Sequence, residues 1–299
     1  GVRNLSNKSS LYEATNYNYG TVWGFNSIFA TTAQYKYHYN LSAYKTLTNT
    51  LQHAFDYGLG IFPEVFSGSI NTKLGEAYHN QGFCTSGYIV PMVTGMLGIE
   101  TNALQGKLVF APKVPADWNS LDVNNIKVGE ASINLKYKTE KGKKTLIIEK
   151  IGGKDIDFIF TPDLPLGTDD IKITVNGRGV QERVVNRDQA VTVSSEFKVA
   201  GKTELVISHT PVPELYLLPQ TTPIGATNEG LKVISQKLNG KELTVEVEGL
   251  PGQTYELGIL YPELTSSVKG ASIKNGKLVI LIDGNGTEFI KHYITIVLK

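Results

Sequence analysis

The chain has 299 residues, of which 29 are basic and 28 acidic, giving a formal net charge of +1, and 41% are hydrophobic. That length accommodates two or three domains with proper cores, and the charge balance excludes a general electrostatic pull toward nucleic acid or an anionic membrane surface. A single cysteine, Cys84, excludes an internal disulfide and a multi-cysteine metal site.

The opening GVRNLSNKSS lacks the apolar core of a signal peptide. No later stretch approaches the roughly 20 apolar residues of a membrane helix, so membrane insertion is not expected. The first hundred residues hold only 10 charged residues, five of each sign, but 10 of the 15 tyrosines. Within them the apolar period is helical. Val22, Phe25, Ile28 and Phe29 recur at spacings of three and four, and Tyr44, Leu47, Leu51 and Phe55 repeat the rhythm. Ser42 is the predicted N-cap of the second helix, and Gly58 or Gly60 its stop. A third predicted helix runs from about Thr85 to Leu97 and ends at Gly98, with Pro91 implying a kink. Helices this poor in charge expect neighbours on most sides, which points to further helical chain upstream.

After Leu104 the period drops to two. Strands are predicted at 107–110, 126–128, 131–137 and 145–148, then near 157–160, 171–175, 190–193 and 203–207, separated by turn signals such as Asn176-Gly177. Short strands at this spacing argue for an antiparallel sandwich. Four of the twelve prolines fall between His209 and Pro223, the mark of an extended connector. From Leu231 a second set of strands follows, with hairpin signals at Asn239-Gly240 and Asn275-Gly276. The expected domains are therefore a helical segment over 1–104, a β-sandwich over 105–210, a Pro-rich linker over 211–228 and a smaller β-sandwich over 229–299.

Chemistry concentrates between Tyr57 and Tyr88. Glu64 stands among aromatic and aliphatic neighbours, with no basic residue between Lys45 and Lys73. A carboxylate so placed is either an ordinary loop residue or a poised general base, and the bare pattern leaves both open. His79 and Gln81 could contact a ligand, and Trp23 with Tyr17, Tyr19, Tyr35, Tyr37, Tyr39 and Tyr78 could stack on sugar rings. Metal ligands and cofactors are not expected, because no HExxH, Walker or dinucleotide pattern is present.

Three segments carry a family resemblance. Tyr19-Gly20-Thr21-Val22-Trp23 resembles the G-T-V-W start of a helical hairpin in six-hairpin glycosidases. These are (α/α)6-barrel hydrolases that include the amylo-1,6-glucosidase portion of glycogen debranching enzymes. Gly60-Ile61-Phe62-Pro63-Glu64-Val65-Phe66 is similar to that family's G-L-P-E-L loop. His79-Asn80-Gln81-Gly82-Phe83-Cys84 is similar to its T-Q-A-W-S stretch, with Phe83 in place of Trp and Cys84 in place of Ser. The resemblance, over residues 18 to 135, implies a fold of C-terminal (α/α)6-barrel hairpins followed by two antiparallel β-sandwiches. It also implies a glycoside hydrolase of oligo- or polysaccharide with Glu64 as general base of an inverting reaction. The implied sugar contacts are Trp23, Tyr19, Tyr78, His79, Gln81 and Phe83. Inversion needs a second carboxyl, and Glu13, Asp56, Glu76 and Glu100 match no acid motif. The chain alone is therefore expected to be incomplete, its partners being carbohydrate and an N-terminal part of the same polypeptide, in a periplasmic or extracellular bacterial setting. The competing expectation is a non-catalytic carbohydrate-binding or surface-associated β-sandwich protein.

Overall fold

Alternating apolar and polar residues from position 107 onward form strands because each strand can bury one face and wet the other. In the computed structural model, which describes residues 1–299, these strands build two sandwiches. One sheet of the first sandwich runs, in spatial order, Arg178–Gly179, Lys172–Val175, Thr203–Ser208, Lys143–Ile151, Ala131–Glu140 and Ser120–Val128. The other runs Arg183–Asn186, Val191–Val199, Ile156–Phe160, Lys107–Phe110 and Ile99–Asn102, with Asp163–Leu164 also paired to Val191–Val199. Ala131, Ile133, Leu135 and Tyr137 point inward from one sheet toward a shared core with Leu108, Phe110, Phe158 and Phe160. Pairing is antiparallel except between Lys107–Phe110 and Ile156–Phe160, which run parallel. Three strands of the facing sheet lie between these two in sequence, enough chain for the crossover a parallel pair requires.

The second sandwich stacks Glu214–Tyr216, Thr254–Leu260, Lys277–Leu281 and Ser272–Lys274 against Lys232–Asn239, Glu242–Gly249, Ile290–Leu298 and Thr265–Lys269. Its core includes Val245, Leu257, Ile280 and Ile294, all fully buried. Within the proline-rich stretch, Glu214–Tyr216 pairs with Thr254–Leu260 as an edge strand.

The helical region departs from expectation. It consists of α1 (Gly24–Lys36), α2 (Asn40–Leu51), the single turn α3 (His53–Asp56) and α4 (Gly82–Val90). The chain as a whole is mostly β, so the expected segment of an (α/α)6 barrel is not its fold class. The physical reason lies in what covers the charge-poor helices. α2 lies against the second sandwich: Leu41 packs on that core, and the Ser42 hydroxyl donates to Val233 O at 2.5 Å. A sheet buries an apolar helix stripe as well as another helix does, and composition does not distinguish the two. Ser42 is accordingly not an N-cap, since α2 begins at Asn40 without a side-chain cap. The third helix starts at Gly82 rather than Thr85, and at Pro91 it widens into a π-helical turn, Pro91–Met96, with Leu97 N donating to Met92 O at 2.9 Å. Proline has no N–H for the regular ladder, and the wider turn accommodates the gap.

Candidate active site

Glu64 precedes a two-residue strand, Val65–Phe66, that pairs antiparallel with Val22–Trp23, the residues leading into α1. Trp23 is placed opposite Val65 by this register, which brings the tryptophan beside the Glu64 loop. Its indole Nε1 donates to Tyr17 O and Thr21 Oγ1, both at 3.1 Å, and its ring meets Tyr17 edge-on at 4.6 Å. On the other side, Gln81 occupies the N-cap position of α4 and its N–H donates to Phe62 O at 2.8 Å. The Glu64 N–H donates to Tyr78 O at 3.0 Å. The Pro63-Glu64 corner is thus clamped between the start of α1 and the start of α4.

The crossing of those two helices sets the clamp's width. A Cβ on Gly87 would stand 2.8 Å from Gly24 O, and one on Gly24 would stand 3.2 Å from the Cβ of Cys84. Only glycines permit this approach. Cys84 is 1% exposed and its thiol reaches Glu64 O at 3.5 Å. Burial pushes that thiol up to about 11.

The Glu64 side chain is 4% exposed. Its Oε1 accepts from Gln81 Nε2 at 3.3 Å, and its Oε2 from the Tyr78 N–H at 3.5 Å. The Tyr17 phenol faces the same carboxylate. Burial first, and then interaction with Glu64, push that phenol up to about 12. No lysine, arginine or histidine lies within ion-pair distance of Glu64. A buried carboxylate held only by long, neutral donors is an uncommon arrangement, because burial normally demands a cation or several short hydrogen bonds.

Of the residues singled out from the sequence, Glu64, Gln81, Trp23 and Tyr78 converge. Tyr78 does so through its backbone, while its ring is 68% exposed. Tyr19 and Phe83 are also exposed, and Phe83 meets Phe25 of α1 edge-on at 5.2 Å rather than entering the carboxylate's hydrogen-bond network. His79 is exposed and makes no side-chain hydrogen bond. The sequence offered Tyr17 only as one of several tyrosines able to stack on a sugar ring, not as a neighbour of Glu64. Its separation from Glu64 along the chain left no local signal, and only the strand pairing brings the two together. A second carboxylate does not join Glu64. Asp56 is engaged elsewhere, accepting from Asn71 Nδ2 at 3.0 Å and lying 3.4 Å from His53 Nδ1, and Glu13, Glu76 and Glu100 are on the surface. No group of three His, Cys, Asp or Glu side chains is arranged to hold a metal ion.

No family model matches the chain, and no curated protein matches it. Three solved structures with partial likeness are glycoside hydrolases. An α-L-rhamnosidase from Dictyoglumus thermophilum aligns over 46% of this chain and 15% of its own, at 9% identity and a TM-score of 0.32. A GH127 β-L-arabinofuranosidase from Geobacillus stearothermophilus T6 aligns over 95% of this chain and 48% of its own, at 10% identity and a TM-score of 0.34. A further glycoside hydrolase aligns over 75% and 38%, at 11% identity and a TM-score of 0.29. The chain spans less than half the length of each. Likeness at this level is loose, and the chemistry of the site rests on its own residues.

Proposed function

We propose that the chain is part of a glycoside hydrolase acting on oligo- or polysaccharide, and that Glu64 supplies the general base of an inverting reaction. The observation that carries this is the Glu64 carboxylate itself: almost fully buried, without a cation, and held by neutral donors from Gln81 and Tyr78. The likeness of the segments 60–66 and 79–84 to the six-hairpin glycosidases supports it, as does the indole of Trp23 fixed beside the loop.

In such a reaction Glu64 accepts a proton from water as the water oxygen bonds to the anomeric carbon. The glycosidic oxygen leaves with a proton from a second carboxyl, which inverting enzymes place about 6.5 to 9.5 Å from the base. Gln81 orients the base by donating to Oε1, and leaves Oε2 for the water when the weak Tyr78 contact opens. No second carboxylate shares the Glu64 cluster, so the 299 residues are an incomplete catalyst that needs an acid from elsewhere in a longer polypeptide.

The test is hydrolysis of aryl glycosides and oligosaccharides by the 299-residue chain and by a longer polypeptide containing it. The expected result is no turnover by the former, and turnover by the latter that falls at least about a hundredfold in Glu64→Gln, the scale on which general-base loss acts. Full activity of Glu64→Gln in the longer polypeptide would remove Glu64 from the chemistry.

A further inference from the structure

Tyr17 is held from several sides. Its backbone oxygen accepts from Thr21 Oγ1 at 2.8 Å, Trp23 Nε1 at 3.1 Å and Asn4 Nδ2 at 3.3 Å. Its ring meets the Trp23 indole edge-on at 4.6 Å, and both rings pack on Val65, Leu74 and Ala77. Val65 directly follows Glu64, and Trp23 is its partner across the two-residue ladder. The indole N–H is thus spent on fixing Tyr17 and Thr21 beside the Glu64 loop. So mounted, the phenol is directed at the Glu64 carboxylate, near enough for a long hydrogen bond.

The groups around that carboxylate differ in one chemical respect. As placed, Gln81 Nε2 and the Tyr78 N–H only donate. They serve an ionised carboxylate and offer nothing to the O–H of a carboxylic acid. A phenol both donates and accepts. A general base passes through both states, ionised before it takes the proton and protonated afterwards. At 4% exposure the protonated side chain has little solvent to turn to, and a buried O–H without an acceptor is costly. The Cys84 thiol is committed to the Glu64 backbone oxygen, which leaves Tyr17.

We propose that Tyr17 is the positioning residue of the Glu64 base. Its phenol donates to the carboxylate before the step and accepts from the carboxylic acid after it, so the side chain keeps one orientation throughout. This role rests on the reading of Glu64 as general base. The proton balance is unchanged: the proton leaving water ends on Glu64, and the phenol keeps its own. Burial first, and then Glu64, push the phenol's ionisation up to about 12, far above the range in which it would surrender that proton.

The experiment has two arms. In the 299-residue chain, labelled with 13C at tyrosine Cζ and with the Tyr17 resonance assigned, ionisation of the phenol is followed by NMR. At pH 11 about a tenth of a group that ionises near 12 is anionic, and that fraction is expected to rise at least about threefold in Glu64→Gln. In the longer polypeptide, Tyr17→Phe keeps the ring and its packing and removes only the hydroxyl. The acid limb of kcat/KM reports the base of the free enzyme, and it is expected to move to higher pH by about one unit when a donor to the carboxylate is lost. Meanwhile kcat should fall about tenfold, with KM changed less than about twofold. A hydroxyl that only supported the fold would lower the melting temperature and leave the acid limb in place. An unmoved acid limb in active Tyr17→Phe, or the same Tyr17 ionisation in Glu64→Gln as in the parent, overturns the role of Tyr17 and leaves that of Glu64 standing. No turnover by the longer polypeptide overturns the reading of Glu64 and this role with it. Should Tyr17→Phe fail to fold, the comparison of the parent with Glu64→Gln still decides, because both chains keep Tyr17.

Discussion

Replacing Glu64 by glutamine tests the chemical reading through stability, before any substrate is known. The side chain is 4% exposed, without a cation, and its two hydrogen bonds are 3.3 and 3.5 Å long. Glutamine fits the same volume. Its oxygen can accept from the Tyr78 N–H, and its NH2 can face Gln81, whose amide turns over to present its own oxygen. The substitution forfeits hydrogen bonds to a charged acceptor, each contributing about 1.5 to 3 kcal/mol when well made and less at these lengths. It also removes the desolvation penalty of a buried carboxylate, several kcal/mol per ion. The balance favours glutamine, by about 0 to 2 kcal/mol. Glu64→Ala behaves differently, because it strands the Gln81 and Tyr78 donors and opens a cavity, destabilising by about 1 to 3 kcal/mol. Urea unfolding followed by tryptophan fluorescence reads both variants. The only tryptophans, Trp23 and Trp118, pack against small cores of the helical region. The expected order of stability is alanine below the parent, with glutamine equal to or above it. A loss of 1 kcal/mol or more in Glu64→Gln would mean the carboxylate is a structural anchor, and the case for a poised base would lose its main support.

Other perturbations have equally definite outcomes. Gly87→Ala sets a methyl 2.8 Å from Gly24 O. It should destabilise the helical region by about 1 to 3 kcal/mol, as overpacking does, seen as a lower urea midpoint in the tryptophan signal. Phe158→Ala empties a fully buried position in the first sandwich and should lower stability by about 3 to 5 kcal/mol by calorimetry. Burial, with Phe66 stacked on its ring at 3.8 Å, holds the His53 imidazole down to about 4 against the opposing pull of Asp56. Because the unfolded chain protonates first, this stabilisation is complete above the ordinary histidine value of about 6.5 and is lost as pH falls toward 4, at up to about 1.4 kcal/mol per unit. His53→Gln should flatten the melting temperature across that window, and an unchanged acid slope would show the histidine is not responsible.

The sandwiches were the most legible part of the sequence because period two leaves little choice. A slip of one residue in Ala131–Glu140 would turn Ile133, Leu135 and Tyr137 out to solvent. Sheet order was not legible, and neither was the parallel pairing of Lys107–Phe110 with Ile156–Phe160, since alternation says which face is buried but not against which neighbour. Helix periodicity located α1 and α2, but it could not reveal that a sheet rather than another helix covers α2. The motif around Glu64 pointed to a carboxylate, Gln81 and Trp23, which the structure places together. Tyr17 was visible as one aromatic among several, but its place beside Glu64 was hidden by its distance in sequence. The open surface around His79 and Phe83 follows from exposure, which residue type alone does not report.

Glu64 owes its environment to a series of contacts that begins in the β-sheets. The second sandwich holds α2 through Leu41 and Ser42. α2 packs on α1, and α1 meets α4 at the Gly24–Gly87 crossing. α4 in turn presents Gln81, and the loop before it presents Tyr78. Every link is short-range packing between rigid elements, so the position of the carboxylate depends on each link being intact. The two sandwiches, the first of which takes in Ile99–Asn102, are therefore positioning elements for the helices. A carboxylate that lacks a cation has little direct energy of its own to fix it in place, and it stays where it is because α1 and α4 leave it nowhere else to go.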